Sequence, residues 1–242
     1  MNRTFATINL LGLLFCYACF APAVCRPYSV MDEEEFESLR NDMVVTQIEA
    51  RGVRDTRVLE AMKKVKRHLF VPDRMRRRAY NDSALPIEED QTISQPYIVG
   101  LMTELAGIEP EDEVLEIGTG SGYQAAILAE LAEKVYSIEI IKVLADQATA
   151  RLQDLGYINI EIKHGDGYLG WPEAAPFDAI LVTAAAPEIP QELVKQLKTG
   201  GRMVIPLGDF FQELYLITKN EDGSITKEHI IPVRFVPMVK QK

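Results

Sequence analysis

Beyond residue 30, apolar positions recur at helical spacing, with one polar interruption. Between Asp32 and about Ala50 they return roughly at helical spacing, which predicts a helix. A second helix is predicted to begin at Asp55, because a capping residue stands directly before the next apolar run. Residues 82–95 hold few apolar positions and indicate a loop, and residues 96–106 indicate a third helix.

After Gly107 the pattern changes to short apolar runs that alternate with helical segments. Such alternation is typical of parallel strands joined by crossover helices. The last two runs are joined by a polar turn and predict an antiparallel pair at one edge of the sheet. The predicted strands are Glu113–Ile117, Lys134–Glu139, Ile158–Lys163, Phe177–Thr183, Arg202–Pro206, Gln212–Thr218 and Glu228–Arg234. The fold class is therefore α/β, a doubly wound, mostly parallel, Rossmann-like sheet with N-terminal helices.

These patterns predict one domain over residues 31–242, with a helical region at 31–107 and the sheet at 108–242. Residues 1–30 differ from the rest. Arg3 precedes an apolar run from Phe5 to Phe20, and small residues follow it, which is the pattern of a secretory signal. Met31 stands directly before the acidic start of the first helix, so residues 1–30 are alternatively upstream sequence.

Composition narrows the classes of chemistry. With 242 residues and 47% hydrophobic content, the chain can bury a full core. The net charge of -10 argues against a protein held to nucleic acid by a general positive field, and the basic residues 74–78 indicate an exposed helix face. All three cysteines lie within the first 25 residues, and the three histidines lack metal-ligand spacing, so no metal site is predicted.

A glycine-rich turn follows the first strand of the sheet. Gly118, Gly120 and Gly122 stand between that strand and a helix, where a ligand can approach the backbone closely. Their spacing is G-x-G-x-G and Tyr123 occupies the sixth position, so the dinucleotide fingerprint G-x-G-x-x-G is not met. A nicotinamide enzyme is therefore disfavoured.

Acidic residues at successive strand ends favour S-adenosylmethionine as the cofactor. Glu116 lies where a carboxylate can hold the amino-acid portion of a sulfonium cofactor, and a diphosphate would be repelled there. Glu139 ends the next strand and can accept the ribose hydroxyl hydrogens. Asp166 follows the third strand and can accept from the adenine amino group, with the Gly167 backbone close to the ring. The sheet is thus predicted to be that of a class I S-adenosylmethionine-dependent methyltransferase.

Several further motifs are specific to one family. Over roughly residues 32–239 the chain resembles the protein-L-isoaspartate O-methyltransferases. The loop before the third helix and the alanine-rich segment are the most specific of these motifs. The resemblance rests on Thr92-Ile93-Ser94-Gln95-Pro96-Tyr97, Val114-Leu115-Glu116-Ile117-Gly118-Thr119-Gly120-Ser121-Gly122-Tyr123, His164-Gly165-Asp166-Gly167, Ala175-Pro176-Phe177-Asp178-Ala179-Ile180, Thr183-Ala184-Ala185-Ala186-Pro187, Leu197-Lys198-Thr199-Gly200-Gly201-Arg202 and Val233-Arg234-Phe235-Val236-Pro237.

The resemblance implies a repair enzyme that methylates the free α-carboxyl of L-isoaspartyl residues in damaged proteins and peptides. The family assigns the serine that matches Ser94 to the active site, and a serine hydroxyl can donate to a carboxylate. Thr92, Gln95 and Pro96 belong to the same expected substrate loop. Val236 lies in a segment that resembles the family strand whose backbone grips the substrate peptide.

Alternatives stay open at the level of substrate and compartment. A methyltransferase of a small molecule or a nucleic acid can use the same fold, although residues 183–186 read Thr-Ala-Ala-Ala rather than the Asn- or Asp-Pro-Pro-aromatic segment of base methylation. Cofactor supply favours the cytoplasm, whereas the signal-like residues 1–23 favour export. No nucleic-acid partner and no stable membrane association are expected, and the sequence makes no prediction of the oligomeric state.

Overall fold

The computed structural model describes Met1 and residues 31–240 of the chain. The account below concerns residues 31–240, which lie within the unit Met31–Lys242. The predicted signal-like or upstream segment falls outside the described residues except for Met1. In the described part of the chain, no helix is long and apolar enough to cross a membrane.

Two helices open the described chain, and both begin where the sequence predicts. Helix α1 spans Glu33–Met43 and continues as a wide turn of π-helix to Ile48 and a tight turn to Arg51. Its cap is reciprocal, because the Glu35 backbone donates to the Asp32 side chain while the Asp32 backbone donates to Glu35. Helix α2 spans Thr56–Lys64, and its cap Asp55 accepts from the Arg57 backbone at 2.8 Å.

The segment between α2 and the sheet carries more structure than a loop. Tight helical turns occupy Arg67–Leu69 and Asp73–Arg78. Within the predicted loop, strands β1 (Leu85–Pro86) and β2 (Thr92–Ile93) pair antiparallel. Their apolar members Leu85 and Ile93 are buried against the main core, a tertiary effect that a short run does not reveal. Helix α3 then spans Pro96–Ala106, as predicted.

The main sheet has seven strands in the order β5-β4-β3-β6-β7-β8-β9, which confirms the predicted fold class. Strands β3 to β7 run parallel, and β8 and β9 are antiparallel to their neighbours. The strands are β3 Glu113–Ile117, β4 Lys134–Glu139, β5 Ile160–His164, β6 Phe177–Val182, β7 Leu197–Leu207, β8 Gln212–Lys219 and β9 Ile225–Val233. The remaining helices are α4 Tyr123–Ala129, α5 Lys142–Asp154 and α6 Gln191–Gln196.

Three strand boundaries differ from the prediction by more than one residue. Strand β9 begins at Ile225 rather than Glu228, because its pairing with β8 extends to Lys219 and Ile225. Strand β5 begins at Ile160 rather than Ile158, because the Ile158 side chain is 98% exposed and pairing with β4 starts at Ile160. Strand β7 begins at Leu197 rather than Arg202, so Gly200 and Gly201 lie inside it. The register between β6 and β7 shifts at this point, an irregularity that commonly accompanies glycine in a strand.

Both faces of the sheet are covered, as a doubly wound fold requires. Val114 and Leu115 are adjacent on β3, yet they belong to two separate buried clusters. The cluster of Val114 includes apolar residues of α1 to α5, and the cluster of Leu115 includes residues of α6 together with Trp171. The sheet therefore lies between two apolar layers, one on each face.

Strands β3, β4 and β6 end at the same edge of the sheet. The chain passes from β3 to β4 on one side and later returns to β6 on the other side, so β3 lies at the point where strand order reverses. In open α/β sheets a crevice for ligands forms at that point, outside the carboxyl ends of the strands.

Candidate active site

The glycine turn after β3 requires glycine for steric reasons. Gly118, Gly120 and Gly122 adopt φ of +97°, +51° and +86°, in the left-handed region that other residues avoid. A Cβ atom at Gly118 would lie 2.5 Å from Oγ1 of Thr183. That hydroxyl donates to the carbonyls of Ile117 and Gly118, at 2.9 and 2.7 Å. The Thr183 side chain thus connects the glycine turn to the end of β6 by hydrogen bonds.

Glu139 holds the same turn from the neighbouring strand. One of its carboxylate oxygens accepts from the Gly120 backbone at 2.8 Å, and the other accepts from the Ile141 backbone at 2.9 Å. The side chain is buried at the end of β4. Its carboxylate is therefore fixed in direction at the carboxyl edge of the sheet.

Glu116 lies in a different environment, although it is only two residues before Gly118. Its side chain is fully buried, and Ser137 on β4 donates to its Oε2 atom. Thr119 bonds the Ser137 hydroxyl in turn, at 2.5 Å, and Oε1 of Glu116 is buried without a hydrogen-bond partner. Burial raises the pKa of Glu116 to about 8, so the group is mostly protonated at neutral pH.

A cavity of about 310 Å³ opens at the carboxyl ends of β3 and β4. Four of the predicted cofactor residues line it: Gly118, Gly120, Glu139 and Gly167. A Cβ at Gly167 would lie 2.3 Å from the Ile117 side chain, so the backbone can pack this closely only with glycine. Three predicted cofactor residues do not line the cavity, namely Glu116, Gly122 and Asp166. Their direct contacts with a cofactor stay predictions.

The positions of Gly122 and Asp166 have structural explanations. Gly122 stands directly before α4, and a Cβ there would approach the Leu152 side chain to 3.1 Å. Asp166 caps a tight turn by accepting from the Tyr168 backbone at 2.9 Å, directly before Gly167. Capping and ligand binding are compatible, because a carboxylate has several lone pairs.

A second cavity, of about 640 Å³, lies beside the predicted substrate loop. Thr92, Ser94, Gln95 and Val236 line it, as the sequence predicts for substrate residues. Pro96 does not line it, because it is the buried first residue of α3. Its ring fixes the backbone where the loop enters the helix.

Three further polar residues line this cavity and were not predicted as site residues. Arg51 lies 3.6 Å above the Tyr97 ring and pairs with Asp82 at 3.2 Å. Arg234 is exposed and lies in the segment that follows β9. Thr183 follows β6 directly, and its place at a strand end was the one local signal that marks it.

The two cavities adjoin. Thr92, Thr183 and Val236 line both of them. A small cavity of about 40 Å³ also brings Ser94 and Thr183 together with the glycine turn. The Ala185 backbone donates to the Val236 carbonyl at 2.9 Å, which holds the shared wall in place. The two cavities therefore share lining residues at the carboxyl edge of the sheet.

The three histidines lie apart from one another in the described part of the chain. Within the part of the chain that the structure describes, no three His, Cys, Asp or Glu residues form a group that could hold a metal ion. His68 is buried, with its ring stacked on Phe36 at 3.9 Å and Nδ1 2.8 Å from the Tyr80 hydroxyl. His164 and His229 are exposed and lie on different strands.

Comparison with known proteins identifies the family. The family model for protein-L-isoaspartate(D-aspartate) O-methyltransferase matches residues 38–242. The chain belongs to this family. Protein-L-isoaspartate O-methyltransferase 1 of Nitrosospira multiformis is 53% identical, and the match covers 98% of each chain. The protein-L-isoaspartate O-methyltransferase of Geobacter metallireducens is 56% identical over 84% of this chain and 95% of its own.

Solved structures agree with the family assignment. A structure of a protein-L-isoaspartate O-methyltransferase superposes with a TM-score of 0.74 at 30% identity, covering 82% of this chain and 65% of the solved chain. A Plasmodium falciparum structure titled as a member of the same family contains S-adenosyl-L-homocysteine, with a TM-score of 0.72 at 28% identity. It covers 85% of this chain and 99% of its own. The predicted family, methyl donor and carboxyl methyltransferase activity are confirmed.

Proposed function

We propose that the two adjoining cavities are the two halves of one active site, which methylates the free α-carboxylate of L-isoaspartyl residues. The observation that carries this proposal is the junction at Thr92, Thr183 and Val236, where both cavities share a wall. A transferase needs donor and acceptor in contact, and alignment of two reactants can contribute about 7 to 11 kcal/mol at best. The junction is the place where that alignment is made.

The smaller cavity suits the cofactor. Gly118, Gly120 and Gly167 contribute backbone without side chains to its walls, and Glu139 presents a fixed carboxylate for ribose hydroxyls. Asp166 is the candidate partner of the adenine amino group, directly beside Gly167. When bound, S-adenosylmethionine supplies an electrophilic methyl group on a positively charged sulfur.

The larger cavity suits the substrate. Ser94 is the candidate donor to the carboxylate, and Gln95 is held nearby because its Nε2 donates to Asp82 at 2.6 Å. A carboxylate with a pKa of about 4 is already ionised at neutral pH, so the protein needs no general base. Its residues instead orient one carboxylate oxygen and exclude water. The segment from Ile231 to Val236 offers backbone groups along the cavity to an extended peptide.

Repair follows from the chemistry of the product. The methyl ester closes to a succinimide with loss of methanol, a step that needs no further help from the protein. Hydrolysis of that ring returns part of the damaged residue to normal aspartyl. Repeated cycles therefore move isoaspartyl residues back into the ordinary peptide linkage.

Paired peptides test the proposal directly. The protein is incubated with tritiated S-adenosylmethionine and two peptides that differ only in isoaspartyl or normal aspartyl linkage at one position. We expect base-labile label on the isoaspartyl peptide alone. Equal labelling of both peptides would contradict the proposal, and label found only on a nucleic acid or a small molecule would favour the alternative substrates.

We further propose that the working enzyme is cytoplasmic. The support is cofactor supply, since S-adenosylmethionine is made in that compartment, together with Met31 as a start directly before the cap of α1. N-terminal sequencing of the native protein tests this. A first residue at Met31 agrees with the proposal, whereas cleavage near Ala23 in an exported fraction contradicts it.

A further inference from the structure

Arg67 is a fully buried cation behind the substrate loop. It lies in the tight turn after α2, and its guanidinium makes two hydrogen bonds to backbone carbonyls. Nε donates to Ala79 at 2.7 Å, and Nη2 donates to the carbonyl of Ser94 at 2.7 Å. A residue 27 positions upstream therefore holds the backbone of the candidate substrate-binding serine.

The charge of Arg67 is not balanced by a carboxylate. Among residues 31–240, none lies within ion-pair distance of it, and its Nη1 atom is buried without a hydrogen-bond partner. The guanidinium carbon lies 4.9 Å from the ring centre of Tyr123, the residue that follows the glycine turn. Burial lowers the pKa of Arg67 to about 10, which leaves it charged at neutral pH.

Arg40 is a second buried arginine in the same region, and its contacts are those of a structural residue. Its side chain is also buried, and its Nε donates to the Lys63 carbonyl at 2.6 Å. Unlike Arg67, it pairs with a carboxylate, that of Glu33 at 3.5 Å, and it bonds the Tyr80 hydroxyl. Within residues 31–240 it makes no hydrogen bond or ion pair with the substrate loop or the glycine turn. The two arginines therefore form a matched pair.

We propose that Arg67 is a positioning residue that fixes Ser94 and makes the substrate cavity selective for an anionic group. The inference rests on the proposed role of Ser94. The Arg67 hydrogen bond sets the direction of the Ser94 backbone, and a hydrogen bond from a charged donor is stronger than a neutral one. An unbalanced positive charge in a poorly solvated interior also attracts an incoming carboxylate more strongly than it would in water.

Three variants separate these effects, namely Arg67→Met, Arg67→Lys and the control Arg40→Met. Each is measured for kcat and KM with an isoaspartyl peptide, for cofactor affinity by calorimetry and for Tm. A second binding measurement compares the isoaspartyl peptide with an isoasparaginyl peptide, in which a carboxamide replaces the free carboxylate. The ratio of the two affinities reports the contribution of charge and is insensitive to a general loss of folded protein.

We expect Arg67→Met to raise KM about tenfold, because the charged hydrogen bond to the Ser94 carbonyl is lost. The carboxylate preference should fall about tenfold, because the buried positive charge is removed. Cofactor affinity should stay within about twofold of the parent, because the glycine turn is held by Glu139 and Thr183. Arg67→Lys keeps the positive charge but lacks the planar guanidinium, which donates to two carbonyls at once. The carboxylate preference should therefore be retained, while kcat falls. Arg40→Met should lower Tm without changing KM or the preference.

Two results would overturn the inference. One is an unchanged carboxylate preference in folded Arg67→Met, and the other is an equal loss of preference in Arg40→Met. If Arg67→Met does not fold, Arg67→Lys decides, since loss of the preference with the charge retained contradicts the electrostatic part. Failure of the proposed function would look different, because the parent protein would then fail to label the isoaspartyl peptide.

Discussion

The two halves of the active site are built in different ways. The cofactor half comes from consecutive strand ends, where Gly118 follows β3, Glu139 ends β4 and Gly167 follows β5. The substrate half combines Arg51, the loop at Thr92–Gln95 and the segment at Ile231–Val236, which are far apart in sequence. The first half depends on backbone conformation and the second on side chains brought together by tertiary packing. Substitutions should therefore separate the two halves by their effects on cofactor and peptide binding.

The largest effect is expected at the glycine turn. Gly118→Ala places a Cβ 2.5 Å from the Thr183 hydroxyl at a φ of +97°, so the turn must shift. We expect the affinity for S-adenosylmethionine to fall at least about 100-fold, since backbone strain of about 1–3 kcal/mol is added to the clash. Isothermal titration calorimetry measures the change.

Gly223→Ala is the matched control for that substitution. Gly223 also has positive φ, +82°, but a Cβ there would meet nothing within 4 Å. It should cost about 1 kcal/mol of stability and leave cofactor affinity unchanged. An equal loss of affinity in both variants would mean that general destabilisation of the fold, and not the contact with Thr183, determines the result.

Ser94→Ala should impair the reaction of the peptide substrate without affecting cofactor binding. Loss of a hydrogen bond to a charged group costs about 1.5–3 kcal/mol, so kcat/KM for the isoaspartyl peptide should fall about 10- to 100-fold. The affinity for S-adenosylmethionine should be nearly unchanged, which calorimetry tests. Ser224→Ala, in the turn between β8 and β9, is the control. Unchanged turnover in Ser94→Ala would remove this serine from the mechanism.

Glu116→Gln tests whether the buried acid affects stability alone or also binds the cofactor. Its pKa of about 8 in the folded protein lies above the ordinary value of 4.5. As pH rises, the unfolded chain therefore loses this proton at a lower pH than the folded chain. Native stability contributed by this group is therefore greatest below pH 4.5 and declines as pH rises to 8. Glutamine has no such titration, so the variant should gain on the order of 2 kcal/mol over the parent between pH 5 and 9. Urea unfolding across that range measures the gain.

The same variant also tests the predicted contact of Glu116 with the cofactor. If the carboxylate holds the amino-acid portion directly, Glu116→Gln should weaken S-adenosylmethionine binding at pH 8. Unchanged affinity would leave Glu116 a purely structural member of the chain Thr119–Ser137–Glu116. Glu228→Gln, at an exposed position of β9, provides the control for the stability trend.

The smallest effect is expected at the exposed end of the substrate half. Arg234 lines the larger cavity without a carboxylate partner among residues 31–240, so it is free to meet an acidic peptide. Arg234→Ala should raise KM about two- to fivefold, a change that salt should abolish. Steady-state kinetics at low and high ionic strength check this. The exposed Arg74→Ala is the control, and a salt-independent rise in KM would contradict the electrostatic explanation.

Elements that depend on local signals could be predicted from the sequence. Strands β3 and β4 and helix α3 have the predicted bounds, because continuous apolar runs and a proline at the first helical position are local signals. The glycine turn and Glu139 could be placed for the same reason. The start of β7 could not, since the pairing of Leu197 with Phe177 is a tertiary contact across a register shift.

The substrate half shows the limit of local signals more clearly. Arg51 comes from the turn after α1 and reaches the cavity only because the chain folds back onto α3. Arg67 resembles its exposed basic neighbours in sequence, and nothing in the pattern marks it as fully buried. Positions such as these depend on contacts between distant segments, which periodicity does not report.

The bonds of Glu139 have a thermodynamic consequence. Both of its oxygens already accept backbone hydrogen bonds, so the rotation of its side chain is lost during folding and not when a ligand arrives. Ordering a side chain on binding costs about 0.5–1.5 kcal/mol, and the cofactor cavity avoids that cost at this residue. At Glu139, binding of the cofactor should therefore carry little entropic penalty from the protein.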